Sequence, residues 1–270
     1  MRIDSHQHFW YYNPQRESWI TDEMSNIRKD FLPEDLGPVL ERNNIDGCIA
    51  VQANESEEES QFLLDLASQN SFVKGVVGWV DLAADNCEER LAYFSKNPLF
   101  KGIRHTLQNE DSHTNFKRGI SCLRKFDFSC ELLVREHQLP EVIALVKEYP
   151  AQRFLLDHMG KPQISQGLSN KWIENIQQLG ACNNVSCKVS GFLSETESFE
   201  WDINDFMPFF DAMAGAFGEN RIMFGSDWPV CLAAGTYEDT VKIVERFFVN
   251  RGNSVLDKVM STNAVIFYNL

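Results

Sequence analysis

An α/β fold, a single (β/α)8 TIM barrel, is predicted by three features of this sequence. Short apolar runs rich in β-forming residues recur about eight times along 270 residues. The segments between them space their apolar residues as helices do, so strand alternates with helix and the strands should be parallel. The chain is also close to the roughly 250 residues of such a barrel. A doubly wound sheet would advertise a Gly-rich phosphate loop, and neither G-x-G-x-x-G nor G-x-x-x-x-G-K-[ST] occurs.

The first four strands are predicted over 2–9 (RIDSHQHF), 46–53 (DGCIAVQA), 74–82 (KGVVGWVDL) and 101–108 (KGIRHTLQ). Four more follow over 130–136 (CELLVRE), 153–158 (RFLLDH), 184–191 (NVSCKVSG) and 221–227 (RIMFGSD). LPEDLGPVLERNN sets Leu32, Leu36, Val39 and Leu40 on one helical face, and LPEVIALVKEY and TYEDTVKIVERFF read similarly. ESEEES at 55–60 reads as a solvated helix start, its acids favoured by the macrodipole. No repeat, linker or low-complexity tract interrupts the chain, so one domain over 1–270 is expected.

A net charge of −14 leaves no basic stripe to neutralise phosphates, which argues against nucleic acid and anionic membranes as partners. A small-molecule substrate remains open, as does a homo-oligomer. The first residues lack a secretory pattern, and no apolar run approaches the roughly 20 residues of a membrane span. A cytoplasmic location is therefore expected. The seven cysteines are odd in number and contain no C-x-x-C pair, which speaks against a disulfide framework or a zinc cage. Cys187 reads as a small buried apolar residue.

A barrel keeps its chemistry at the C-terminal ends of its strands, and polar residues collect there. The ends in order offer His6 and His8, then Gln52, then Trp79 and Asp81, then Arg104, His105 and Gln108. The later ends offer Arg135 with His137 beyond, Asp157 and His158 with Lys161 following, Lys188 and Ser190, and Asp227. Residues two apart on a strand share a face, so Asp4, His6 and His8 should point into the barrel together. Two such imidazoles can chelate a divalent cation, and zinc, iron, manganese or nickel would each accept them; the plainer reading is a hydrogen-bonded pair. Asp227 is read as a ligand or general base, against the alternative of a helix cap. His158 is the reactive candidate of LLDHMGKP, with Asp157 either orienting a neighbour or capping the next segment. Arg104 suits a carboxylate or polyol, a structural ion pair being its alternative. His105 faces the other way from Arg104, and His113 falls in a polar loop. Trp10, Trp79 and Trp228 would either wall a sugar-sized pocket or pack as core. No G-x-S-x-G or H-E-x-x-H motif is present.

DSHQHFW, FLPEDL, GVVGWVDL, GIRH, LLVREHQLP, FLLDHMGKP, NVSCKVSG and MFGSDWPVC, in order over nearly the whole chain, resemble the sugar-lactonase branch of the amidohydrolase superfamily. The resemblance implies a distorted (β/α)8 barrel that hydrolyses sugar-acid lactones. It makes His6, His8, His158 and Asp227 the catalytic and metal-ligating set, with Gln52, Trp79, Arg104, His105 and Trp228 around the substrate. The fourth-strand lysine or glutamate and fifth-strand histidine of binuclear relatives have no counterpart here, so one weakly held divalent ion, zinc first, or none is implied. Competing readings are an aromatic-pathway dicarboxylate lactonase, which would want several inward arginines, a decarboxylase, and an inactive sugar-binding barrel.

Overall fold

A computed structural model describes residues 1–106 and 113–270. Its strands are β1 (Ile3–Gln7), β2 (Gly47–Val51), β3 (Val73–Gly78), β4 (Phe100–Thr106), β5 (Ser129–Leu133), β6 (Phe154–Leu156), β7 (Val185–Val189) and β8 (Ile222–Phe224). All neighbours pair in parallel in the order β1 to β8. The eight-membered sheet closes just past its last strand. Gln7 bridges Trp228, the His8 amide donates to the Trp228 carbonyl (2.7 Å), and the Asp227 amide donates to the His6 carbonyl (2.8 Å). The predicted (β/α)8 barrel is present. Its distortion lies in three-residue strands at β6 and β8 and in register shifts between the first four strands.

The helices are α1 (Pro33–Arg42), α2 (Glu57–Gln69), α3 (Cys87–Phe94), α4 (His113–Leu123), α5 (Leu139–Glu148), α6 (Asn170–Gly180), α7 (Ile203–Phe217) and α8 (Tyr237–Val249). Two short ones, α9 (Asn253–Asp257) and α10 (Asn263–Tyr268), finish the chain. Local chemistry explains their starts. Ser56, Ser169, Asp202 and Thr236 cap α2, α6, α7 and α8 by accepting amides of their first turns. None of the described helices is long and apolar enough to cross a membrane.

Parallel strands buried on both faces read as continuous apolar runs, and that continuity supplies two cores. One lies between strands and helices. The other fills the barrel with Ile3, Ile49, Val51, Val77, Leu155 and Met223, closed by Ala264 and Tyr268 of α10. That end of the barrel is largely apolar.

Several expected boundaries move. β5 stops at Leu133, so Arg135 and His137 fall in an exposed turn beyond it. His113 opens α4 instead of sitting in a loop, and Gln108 lies outside the described residues. Of the acidic run expected to be solvated, Glu59 is buried: its Oε1 accepts the amides of Ala53 (2.5 Å) and Asn54 (3.0 Å), tying α2 to the loop after β2. The seven cysteines are free, and Cys187 is fully buried.

Candidate active site

The first strand does not present Asp4, His6 and His8 on one face, as simple alternation predicts. The register against β2 slips between Asp4 and Gln7, a bulge that reverses the parity of the strand. Asp4 therefore turns to the helix side. There it accepts from the Ser226 hydroxyl (2.6 Å), the Ser226 amide (2.9 Å) and the Tyr237 hydroxyl (3.0 Å). Burial pushes its carboxyl up to about 6 in spite of those bonds. Beyond the bulge, His6 and His8 point into the barrel.

Two left-handed turns bring the partners. Past β6, His158, Met159, Gly160 and Lys161 all have positive φ, and past β8 Asp227 has φ +58. Left-handed backbone at non-glycine residues is costly and gathers at functional sites. Gly191 lets the His158 ring lie flat against the chain after β7: a Cβ there would stand 2.5 Å from its Nδ1.

The four side chains converge. Asp227 Oδ1 lies 3.4 Å from His8 Nε2, 3.6 Å from His6 Nε2 and 4.0 Å from His158 Nε2. The two first-strand Nε2 atoms are 3.2 Å apart. His8 Nδ1 sits 2.7 Å from the Val51 carbonyl oxygen, which places its proton on Nδ1 and leaves Nε2 as a lone pair facing inward. His158 Nδ1 is 2.9 Å from the Ser190 hydroxyl. Burial holds all three imidazoles below their usual basicity, with Lys188 adding to the effect on His6. Burial works to raise the Asp227 carboxyl, but the histidines outweigh it and hold it below the ordinary carboxylate range. The carboxylate is therefore ionised at neutral pH and able to accept a proton.

The donor set also fits a cation. His6, His8 and Asp227 offer ligand atoms within 4.8 Å of one another, and so do His6, Asp157 and His158. Three imidazole nitrogens and one carboxylate oxygen suit a tetrahedral zinc site.

Among the residues expected to hold substrate, Gln52 and Arg104 interlock across the mouth. The Arg104 guanidinium donates to the Gln52 carbonyl, and the Gln52 amide reaches the Arg104 carbonyl at 3.4 Å. Gln52 Oε1, Trp79 Nε1 and Arg104 Nε are buried without a hydrogen-bond partner among the described residues. Each costs about 1–3 kcal/mol unless something pairs with it, which marks the ends of β2, β3 and β4 as a polar lining. His105 instead stacks on Phe116 of α4 (centroids 4.1 Å), on the helix side. Trp228 packs edge-on against Phe9 and Phe31 within the aromatic core. Neither joins the histidines. Trp10 packs on Trp19 and Phe31 and also lies beside the His8 ring, their centroids 6.4 Å apart.

Sequence reasoning missed a buried ionic group beneath His6. Lys188 Nζ donates to Glu131 Oε2 (2.5 Å), lies 3.2 Å from Asp157 Oδ1, and reaches His6 Nδ1 at 3.1 Å. The Tyr268 hydroxyl donates to the other oxygen of Glu131. Burial pushes the Glu131 carboxyl up to about 7 against the pull of Lys188. An acid inside the apolar run CELLV was the available signal, since an unpaired charge has no place in a strand buried on both faces.

The family model described as amidohydrolase matches residues 3–270. An L-fucono-1,5-lactonase of Burkholderia multivorans is 37% identical over 269 residues, covering 93% of this chain and 90% of its own. The L-fucono-1,5-lactonase of Burkholderia ambifaria is 34% identical over 281 residues, covering 100% and 96%. A crystal structure of a Burkholderia multivorans amidohydrolase with zinc bound superposes with a TM-score of 0.96 at 35% identity, covering 100% of this chain and 99% of that one.

Proposed function

The chain belongs to the amidohydrolase family, and from that premise we propose that it opens an L-fucono-1,5-lactone-like sugar lactone with Asp227 as the base. It is a lactonase, an enzyme that hydrolyses a sugar-acid lactone; this rests on two relatives of that activity aligned over nearly the whole chain. The dicarboxylate reading is not favoured. It would need several inward cations, and Arg135 is exposed, leaving Arg104 at the mouth.

The observation that carries the mechanism is the position of Asp227 Oδ1 within 4.0 Å of three inward imidazole nitrogens. The carboxylate accepts a proton from water as the water oxygen bonds to the lactone carbonyl carbon. An Nε2–H of His6 or His158 donates to the oxygen that gains charge, the inward nitrogen of His8 being a lone pair. As the tetrahedral intermediate collapses, the ring C–O bond breaks and Asp227 returns its proton to the departing ring oxygen. Gln52, Trp79 and Arg104 offer the buried polar atoms that pair with substrate hydroxyls and carbonyl. His6, His8, His158 and Asp227 would hold one weakly bound divalent ion, zinc first, which when bound supplies Lewis-acid polarisation of the carbonyl.

The test is a panel of aldonolactones and dicarboxylate lactones, followed by acid release with and without chelator. Rapid opening of L-fucono-1,5-lactone and none of the dicarboxylates is expected. Activity confined to the dicarboxylates would overturn the proposal.

A further inference from the structure

We propose that Lys188 is a positioning residue that decides which nitrogen of His6 carries the proton, and so sets the site between a proton-donating His6 and a metal-ligating one. This rests on the reading of His6 as part of the lactone site.

A neutral imidazole has one N–H, and a lysine ammonium can only donate. Lys188 is fully buried and bounded by Glu131, Asp157, His6 and the Tyr268 ring, 5.9 Å from its Nζ. At 3.1 Å from His6 Nδ1, it donates there, and the His6 proton moves to Nε2. That proton meets a ready acceptor 3.2 Å away, His8 Nε2, whose own proton is held on Nδ1 by Val51. The hydrogen bonds then run unbroken in one direction from Lys188 through His6 and His8 to Val51. The opposite His6 tautomer sets two lone pairs face to face at 3.2 Å, and two N–H groups against each other at 3.1 Å. Both contacts are repulsive.

A metal on Nε2 of His6 needs that opposite tautomer. Its Nδ1–H has one place to go, Asp157 Oδ1 at 3.4 Å. Both carboxylate oxygens of Asp157 are buried without an aligned hydrogen bond among the described residues, although Lys188 lies 3.2 Å from one of them. Asp157 is thus the acceptor available to metal-ligating His6, and Lys188 the donor that stabilises the metal-free form. Tyr268 and Glu131 fix the ammonium from below, so the floor of the barrel sets a property of its mouth. Groups hydrogen-bonded behind ligating histidines shift metal affinity by about 10–100-fold; Lys188 acts in the weakening direction.

Two measurements decide it. In the metal-free parent, nitrogen-15 NMR of labelled imidazoles should show His6 protonated on Nε2; protonation on Nδ1 overturns the proposal without recourse to any variant. Lys188→Met alone would strand the Glu131 carboxylate, so it is paired with Glu131→Gln, whose amide oxygen still accepts from Tyr268. This double variant, with parental circular dichroism, should bind zinc about 10-fold or more tightly than the parent in competition with a chromophoric chelator. Its turnover without metal should fall by a similar factor. Loss of both, or an unchanged zinc affinity, would reduce Lys188 to a structural role. A parent inactive on every lactone would sink the functional reading instead, while the tautomer and zinc results would still judge Lys188.

Discussion

Replacing Asp227 by asparagine separates chemistry from folding better than any other single change. The residue has φ +58, a conformation that asparagine tolerates and alanine does not. Its backbone ties, the amide to His6 (2.8 Å) and the carbonyl accepting from Cys231 (2.9 Å), are untouched by the exchange. No buried charge is stranded either, since burial keeps His6, His8 and His158 neutral without help from the carboxylate. What disappears is the base that the three Nε2 atoms surround at 3.4–4.0 Å. General-base catalysis contributes about 10²–10⁴ in rate, equivalent to about 3–5 kcal/mol of barrier. The expected result is therefore a fall of that size in kcat, with KM within about threefold of the parent. Initial rates of acid release at pH 7, on protein with unchanged thermal unfolding, provide the assay. A kcat within about threefold of the parent would refute the assignment of Asp227 as base.

Arg104→Gln removes a charge-assisted partner at the mouth, worth about 1.5–3 kcal/mol, so kcat/KM should fall about 10–100-fold, chiefly through KM; an unchanged KM would remove Arg104 from the substrate. The pH profile of kcat/KM should show no histidine-like inflection near 6.5, because burial holds all three imidazoles below that value. Its acid limb should appear only below the usual carboxylate range, where Asp227 gains a proton, and a half-maximal rate near pH 6.5 would contradict this. Asp4, at about 6 when folded against an ordinary 3.8, binds its proton more tightly in the native protein. Its contribution to stability is thus present below about pH 4 and lost as pH rises through about 6, by about 3 kcal/mol at 1.36 kcal/mol per unit. Urea unfolding of Asp4→Asn from pH 4 to 7 should lack that loss; parallel pH curves for parent and variant would refute the buried-acid account.

The barrel was legible because parallel strands buried on both faces leave uninterrupted apolar runs, each ending where ionisable residues begin. His6, His8, His158 and Asp227 could be read from those ends. Their handedness could not. A period-two count put Asp4 with the histidines, and only the slipped register against β2 shows it turned toward Ser226 and Tyr237. Counting along β4 did separate Arg104 from His105, because that strand pairs with β5 in regular register through Thr106. The Glu131–Lys188 pair spans 57 residues. No local pattern links the two, and Tyr268 reaches Glu131 across 137 residues. Such a network is set by the closure of the barrel and the plug of α10, which are properties of the whole chain.

One electrostatic condition unites the site. Burial alone would neutralise every ionisable group in it, imidazoles by losing protons and carboxylates by gaining them. The histidines follow that rule, while Asp227 departs from it because His158 and His8 outweigh its burial. His158 and His8, with a smaller effect from Lys161, therefore keep the carboxylate ionised although it is buried. Lys188 would upset this balance if its charge faced Asp227. It faces Glu131 and Asp157 instead, with the His6 ring between it and the base. A lactone is already an activated ester, so a base ionised at neutral pH beside oriented N–H donors meets its chemical demand. A metal in the same place adds polarisation at the cost of reversing His6, and the strength of its binding measures how much the Lys188 contact is worth.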